Sequence, residues 1–223
     1  MRFLKGSEIS LTQNMINASQ QTRKEIKRKR SLDRQSEIYR KALDLLIQKG
    51  YASTSMYMIA DALGMSKANL YHYCSSKEDL LYRIHLDHLA RHYVPFLEEA
   101  ERLPDPVDRI ALFLRKLTLL HASSKAGQVL FQEMQSLNGN HHNEINLIWR
   151  RAYDLIRDAV KELQQSGKAR KLRGSFLTFL GFGMANWIPN WFDYGRQANA
   201  EELAETLVET FLKGLLYPES EKM

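Results

Sequence analysis

The amino-acid sequence predicts an all-α protein, and three observations carry this prediction. Only five prolines and eleven glycines occur among the 223 residues, so few positions interrupt regular structure. Runs of β-branched residues are scarce. Apolar side chains recur at helical spacing along most of the chain after residue 33, which predicts about nine amphipathic helices. A hydrophobic fraction of 44% and a charged fraction of 26% are typical of a soluble globular protein with a core of ordinary size.

Three short helical patterns follow one another in the first third of the chain. Residues 33–49 place apolar side chains on one helical face, and Gly50 ends the pattern. Residues 55–63 form a second pattern, after which Gly64 favours a tight turn with positive φ. A third helix covers residues 66–71, with its first serine as the N-cap. Two short helices joined by a glycine turn predict a helix-turn-helix.

Longer helices follow and form a predicted bundle over residues 81–223. Pro95 predicts a kink or an early end in the first of them. The Asp-Pro pair at residues 105–106 supplies an N-cap and a first helical residue for the second. Asn138-Gly139-Asn140 ends the third, and Gly167 ends the fourth. The predicted bounds are residues 77–99, 105–121, 124–137, 143–165, 175–194 and 199–216.

The positive charge of the chain lies in its first third. The net charge is +6; residues 1–80 contain 14 Lys or Arg and 8 Asp or Glu, whereas residues 81–223 contain 18 of each. This asymmetry indicates a nucleic acid or an anionic membrane surface as partner of the basic part. Residues 1–22 are polar and without periodicity, and we expect them to be disordered. Six of the eight residues from Arg23 to Arg30 are basic, which fits a solvated tail or a phosphate-binding arm.

Cysteine content and hydropathy predict a cytoplasmic location. The chain has one cysteine, which can form neither an internal disulfide nor, by itself, a cysteine-based zinc site. No apolar run approaches the roughly 18–20 residues that a membrane span needs. The polar N-terminus also lacks the apolar region of a signal peptide.

An ordered set of motifs runs from Ile38 to Leu81. Its members are Gly50-Tyr51, Ser53-Thr54-Ser55, Ile59-Ala60, Leu63-Gly64-Met65-Ser66, Leu70-Tyr71-His72-Tyr73 and Ser76-Lys77-Glu78-Asp79-Leu80-Leu81. With this set, the segment resembles the TetR family of bacterial transcriptional regulators. Cys74 departs from the pattern, because the family usually has phenylalanine or another apolar side chain there. A buried cysteine behaves as a small apolar side chain, so we expect slightly looser packing at this position.

The resemblance implies a domain organisation and a function. Residues 1–30 are expected to form a flexible basic arm, residues 31–80 a three-helix DNA-binding domain, and residues 81–223 an effector-binding and dimerisation domain. The implied function is that of a repressor that binds a palindromic double-stranded DNA operator as a homodimer and is released by a small hydrophobic effector. The last two helices usually form the dimer interface in this family, and Gly181 and Gly183 would permit a close helix approach.

The third helix carries the residue types that read base edges in the major groove. Its side chains suit a close approach of the backbone to DNA: Ser66, Lys67, Ala68 and Asn69. Lys67 can donate to guanine, Asn69 can pair with adenine, and Ala68 can contact a thymine methyl group. Tyr71 lies one turn beyond Lys67 on the same face. By resemblance, Tyr57 reaches bases, and the phosphate contacts are Thr54 or Ser55, Tyr73 and Lys77. An interpretation of Tyr71 and Tyr73 as packing aromatics stays open.

The segment from Gly183 to Gly195 contains the run Trp-Ile-Pro-Asn-Trp-Phe. It resembles the C-terminal domain of a TetR subgroup that regulates fatty-acid and sterol catabolism and responds to acyl-CoA thioesters, which implies an acyl-CoA effector. The candidate ligand-binding residues are Trp149, Arg150, Phe182, Asn186 and Trp187. Arginine suits a phosphate or carboxylate group. An aromatic-rich helix also fits a packed core, and this interpretation stays open.

The sequence does not favour an enzyme, a metal site or a cofactor. Gly181-Phe-Gly183 resembles the start of a dinucleotide fingerprint, but residue 186 is asparagine and no predicted strand precedes it. No P-loop or nucleophile elbow occurs. His85, His88 and His92 share one helical face, which fits solvent-facing or packing side chains better than a metal site. The alternatives to an acyl-CoA-responsive repressor are a TetR-type regulator of efflux that responds to hydrophobic or cationic drugs and a basic membrane-surface protein.

Overall fold

The computed structural model describes residues 27, 29, 31–193 and 199–218. Their regular structure is helical, apart from one isolated antiparallel bridge between Ala169 and Leu216, and the predicted all-α class is confirmed. No helix in these ranges is both long enough and apolar enough to cross a membrane. The α-helices are α1 (31–49), α2 (Met56–Ala62), α3 (Lys67–Tyr71), α4 (Lys77–His88), α5 (Val94–Glu101), α6 (Pro106–Ser123), α7 (Ala126–Gln132), α8 (Gly139–Gln165), α9 (Gly174–Asn186) and α10 (Ala200–Leu215).

Helices α1 to α3 form where the sequence predicts them. Gly50 and Gly64 end α1 and the α2 turn with φ angles of 77° and 62°, a region that favours glycine. The Ser55 hydroxyl accepts the Met58 amide at the start of α2. Most of the expected arm lies outside the described residues; Lys27 and Lys29 are helical and exposed.

The predicted helix over residues 77–99 is interrupted but does not end at Pro95. Between α4 and α5 lies a π-helical segment, Leu89–Tyr93, whose wide turn is closed by the Val94 amide and the Leu89 carbonyl. Pro95 is the second residue of α5 and has no N–H to continue the α-helical ladder. The irregular turn therefore stands next to the proline, as such interruptions commonly do.

The predicted helix over residues 124–137 is too long, and its predicted end is wrong. The segment divides into α7 and a 3₁₀ turn, Glu133–Ser136. Asn138 does not terminate a helix but caps α8, since its side-chain oxygen accepts the His141 amide at 3.0 Å. Helix α8 therefore begins at Gly139 and not at residue 143, and Gly167 ends it with a φ of 72°.

The predicted helix over residues 175–194 is also shorter than expected. Helix α9 ends at Asn186 and is followed by a 3₁₀ turn, Ile188–Asn190. Pro189 cannot donate to the ladder, which explains the early end. The expected end at Tyr194 lies outside the described residues, and Asn199 caps α10 as predicted, accepting the Glu202 amide at 3.1 Å.

Helix α6 lies at the centre of the bundle and contacts α5, α8, α9 and α10. Where α9 crosses it, Gly181 leaves no room for a side chain, because a Cβ would lie 3.1 Å from Phe211 Cε2 and 3.5 Å from Leu114 Cδ2. The expected close approach is confirmed for Gly181. Around Gly183 no atom of the described residues lies within 4 Å. Cys74 is buried in the core, and its thiol donates weakly to the Leu70 carbonyl.

Candidate functional site

Helix α3 presents almost all of its side chains to solvent. Its one buried residue is Leu70, which is fully buried and anchors the helix to the domain. Lys67, Ala68, Asn69 and Tyr71 are exposed. A five-residue helix does not form by itself in water. The Leu70 anchor and the N-cap hydrogen bond from the Asn69 amide to the Ser66 hydroxyl, 3.1 Å long, therefore hold the exposed face in place.

Three tyrosines predicted at the DNA surface differ in exposure. Tyr57 on α2 is 69% exposed, and Tyr71 is 43% exposed with the Lys67 Nζ atom 5.7 Å from its ring centroid. Neither side chain is a core aromatic. Tyr73 is half-buried and packs against the core, as the packing interpretation expected. The three positions can therefore offer DNA different amounts of side-chain surface.

The start of α4 lies beside the helix-turn-helix and is rigidly capped. The Ser76 hydroxyl accepts the Asp79 amide at 2.9 Å, and the Asp79 carboxylate accepts the Ser75 amide at 2.7 Å and Arg83 Nε at 2.8 Å. Burial raises the pKa of Asp79, but the hydrogen bonds from Ser75 and Arg83 outweigh it, so the pKa lies below its usual value. Lys77 Nζ lies 4.1 Å from the Tyr51 ring centroid, and burial lowers the pKa of this lysine. The lysine is thus held at a helix N-terminus, where a phosphate would bind.

Thr54 cannot serve as the expected phosphate contact. Its side chain is 1% exposed, and its hydroxyl donates to the Gly50 carbonyl at 2.8 Å. The hydroxyl closes the turn between α1 and α2 and is not available to a ligand. Of the two alternatives, Ser55 is the exposed residue, at the N-terminus of α2.

A small cavity lies inside the bundle, between α4 with its π-helical segment, α6, α7 and α8. Its free volume is about 20 Å³, enough for roughly one water molecule. Polar side chains are unusually frequent in its wall for the interior of a bundle: His85, His88, Tyr93, His121 and Trp149. The other walls are apolar and include Phe131 and Met134.

Burial keeps the histidines of the cavity uncharged. His85 is buried, and its Nε2 atom lies 2.7 Å from the Leu130 carbonyl oxygen, which can only accept, so Nε2 carries the proton. Burial lowers the pKa of His85 to about 4. Burial, reinforced by His92, His85 and His121, lowers the pKa of His88 to about 4 as well. Burial also lowers the pKa of His121, against the effect of its hydrogen bond to Asn186. The wall is therefore neutral at physiological pH.

The five candidate ligand residues do not lie together. Trp149 lines the cavity, and Asn186 Oδ1 lies 3.0 Å from Nε2 of the lining residue His121. Phe182 packs edge-on against Phe113 with 5.6 Å between ring centroids.

The cavity assignment of Arg150 and Trp187 is wrong. Arg150 is exposed, because it follows Trp149 on the helix and faces about 100° away from it. Trp187 is 64% exposed after the early end of α9.

The buried histidines and Tyr93 were not identified from the sequence as cavity residues. The shared helical face of His85, His88 and His92 was the available signal, and the packing interpretation holds for His85, which is buried; His92 is exposed. His121 lies on a different helix, so its proximity is a product of tertiary packing. Within the described residues, no group of three His, Cys, Asp or Glu side chains is placed to hold a metal ion.

Helix α9 and the turn after it carry an exposed apolar surface. The exposed side chains are Phe176, Phe179, Leu180, Trp187 and Trp191. Large aromatic groups that stay in contact with water in this number mark an interaction surface more often than a free one.

Two protein-family models match the chain. "Bacterial regulatory proteins, tetR family" matches residues 38–84, and "Tetracyclin repressor-like, C-terminal domain" matches residues 103–215. No curated protein sequence matches the chain.

Several solved structures are similar. AibR, in complex with isovaleryl coenzyme A and operator DNA, is 28% identical, with a TM-score of 0.74 over 79% of this chain and 97% of that chain. PfmR, a TetR family transcriptional regulator from Thermus thermophilus, is 28% identical, with a TM-score of 0.73 over 81% and 99% of the two chains. FadR from Bacillus subtilis, in complex with stearoyl-CoA, is 20% identical and shares the fold, with a TM-score of 0.65 over 80% and 98% of the two chains.

Proposed function

Because this chain belongs to the TetR family of bacterial regulatory proteins, and is therefore a transcriptional regulator and not an enzyme, we propose that it is a cytoplasmic repressor. In this proposal it binds a palindromic operator as a homodimer and leaves it when a small effector binds in the bundle. The observation that carries the proposal is α3, in which one buried leucine supports an otherwise exposed face.

The exposed face of α3 supports recognition of bases in the major groove. Lys67 and Asn69 are the side chains with direct hydrogen-bonding capacity toward guanine and adenine, and Ala68 between them is small enough for close approach. Ser55 and Lys77 lie at the N-termini of α2 and α4, where backbone N–H groups and the helix dipole favour phosphate. Tyr57 and Tyr71 extend the same surface.

The basic arm supports affinity for DNA that does not depend on sequence. Residues 1–30 contain eight Lys or Arg and two Asp or Glu, whereas residues 31–80 contain six of each. The whole excess of positive charge therefore precedes the helix-turn-helix. Charge that is separate from the base-reading helix adds binding energy through phosphates without adding sequence preference.

The exposed aromatic surface of α9 supports a homodimer. Pairing α9 and α10 with their copies would bury Phe176, Phe179 and Leu180 in a four-helix interface. Gly183 lies on α9 with open space around it, so a partner helix could approach there. The twofold axis would present two α3 helices to successive major grooves, about 34–36 Å apart.

An acyl-CoA is the effector class that we propose. AibR, whose structure contains isovaleryl coenzyme A, is similar to this chain over nearly its whole length. The described lining of the cavity contains no Asp or Glu, so it offers no counter-charge to the cationic drugs of the alternative efflux regulator. An effector larger than water must enlarge the cavity.

The π-helical segment connects the cavity to the DNA-binding domain. Leu89 and Tyr93 line the cavity, and Arg91, between them, donates to the Ser36 hydroxyl of α1 at 2.8 Å. An effector that displaces this segment would strain the contact with α1 and change the spacing of the two α3 helices. The effector can only act if it binds the displaced state more tightly than the DNA-bound one.

Selection of an operator from random duplex DNA by the full-length protein tests the proposal. We expect a palindromic site, a dimer by sedimentation velocity, and release of the fluorescent operator by isovaleryl-CoA but not by coenzyme A. Binding without sequence preference would overturn the regulator proposal. Release by cationic drugs in place of acyl-CoA would favour the efflux alternative.

A further inference from the structure

Three polar atoms in the residues that line the cavity have no hydrogen-bond partner among the described residues. They are the Tyr93 hydroxyl, His85 Nδ1 and Trp149 Nε1, and each is buried. Native proteins pair nearly all buried polar groups, and those left unpaired call for an explanation. Three such groups around one cavity indicate a site that is completed by a ligand.

The three groups differ in what they can donate and accept. His85 donates from Nε2 to Leu130, so its Nδ1 atom is an acceptor. Trp149 Nε1–H can only donate. Tyr93 is 1% exposed, and burial raises the pKa of its hydroxyl, which therefore stays protonated and can both donate and accept. A ligand that satisfies all three must itself both donate and accept.

The charge of the wall limits the ligand further. No Lys, Arg, Asp or Glu occurs among the described lining residues, and the pKa of both His85 and His88 lies at about 4. A buried carboxylate or ammonium group would have no counter-ion there and would be strongly disfavoured. The aromatic walls, which include Phe131, suit a compact apolar body.

We propose that this cavity binds a compact, mostly apolar ligand through an uncharged hydroxyl group, which accepts from Tyr93 or Trp149 and donates to His85. The proposal rests on the proposed effector site and specifies its chemistry. If the effector is an acyl-CoA, its acyl group carries the hydroxyl. Entry requires movement of α7, a seven-residue helix that supplies Gly127, Leu130 and Phe131 to the wall.

Three probes of nearly equal shape test this chemistry: p-cresol, p-xylene and p-toluate. Calorimetry with the full-length protein is expected to show that p-cresol binds about tenfold or more tightly than p-xylene, since the hydroxyl pairs buried groups that p-xylene leaves unpaired. The anion p-toluate is expected to bind most weakly. Equal binding of cresol and xylene, tightest binding of the anion, or no binding of cresol would each overturn the proposal.

Variants assign the preference to the cavity. Tyr93→Phe and Trp149→Phe are each expected to reduce the cresol-to-xylene ratio severalfold, and Tyr93→Phe removes an unpaired hydroxyl and keeps the fold. Thr118→Val is the matched control, because the Thr118 hydroxyl is also buried and unpartnered in the described structure but lies outside the cavity lining. A ratio unchanged by the two cavity variants, or reduced equally by Thr118→Val, would contradict the proposal. Selective cresol binding combined with an operator affinity that no cavity ligand alters would support this site and refute the proposed effector response.

Discussion

Replacement of Gly181 by alanine tests how α9 packs in the bundle. The new Cβ would lie 3.1 Å from Phe211 Cε2 and 3.4 Å from its Cζ atom. Carbon atoms in good contact lie about 3.5–4.0 Å apart, so the methyl group would overlap the ring by several tenths of an ångström. Leu114, fully buried behind it, limits how far the ring can move.

Two opposing effects set the magnitude. Overpacking a core costs about 1–3 kcal/mol. Alanine in place of glycine inside a helix gains about 1 kcal/mol. The free energy of unfolding of Gly181→Ala is therefore expected to fall by about 0–2 kcal/mol. Gly183→Ala lies in the same helix without a neighbour within 4 Å in the described structure, so it retains the helix gain without the clash.

Urea unfolding followed by circular dichroism measures both variants. We expect Gly183→Ala to be more stable than Gly181→Ala by about 1–3 kcal/mol. Because Gly183 lies on the proposed dimer surface, the comparison is repeated at several protein concentrations, at which dimer dissociation would shift the transition. Equal stability of the two variants in the same dimeric state would refute the close-packing argument.

Three further predictions concern DNA binding and pH. Lys67→Ala and Asn69→Ala are each expected to weaken operator binding by about 1–3 kcal/mol in fluorescence anisotropy while leaving urea unfolding unchanged; footprints identical to the parent would disprove the recognition-helix assignment. Deletion of residues 1–30 is expected to weaken binding to all duplexes and to reduce the salt dependence by about 0.9 per lost phosphate contact, whereas a new preferred site would show that the arm reads bases. Because the pKa of His85 is about 4 in the folded protein and 6.5 in the unfolded chain, the unfolded chain binds more protons between these values. The free energy of unfolding is therefore expected to fall by about 3 kcal/mol from this group as the pH drops from 6.5 to 4, and His85→Gln, which loses this dependence, should show a flatter profile.

Much of the fold could be predicted because its signals are local. Gly50, Gly64 and Gly167 end elements through a φ range that is open to few other residues. Ser66 and Asn199 cap helices with their own side chains. The helix bounds that were wrong, around Asn138, arose because the same residue type that follows one helix can also begin the next.

The candidate site could be predicted on the DNA side but only in part inside the bundle. Lys67 and Asn69 lie on one short helix, so their spacing places them on one surface without knowledge of the rest of the chain. The burial of Thr54 depends on how α2 packs against α1. His85, His121 and Trp149 come from three helices, and no pattern along the chain indicates that they meet.

The sequence by itself determined the all-α class, the helix-turn-helix and the location of the excess charge, because these depend on periodicity, turn residues and composition. Tertiary structure alone decided which residues surround the cavity, that its histidines are neutral and that Trp187 lies outside it. The physical reason is that burial and the sharing of hydrogen bonds depend on neighbours that are distant in the chain, and these neighbours set both the pKa of His85 and the isolation of the Tyr93 hydroxyl.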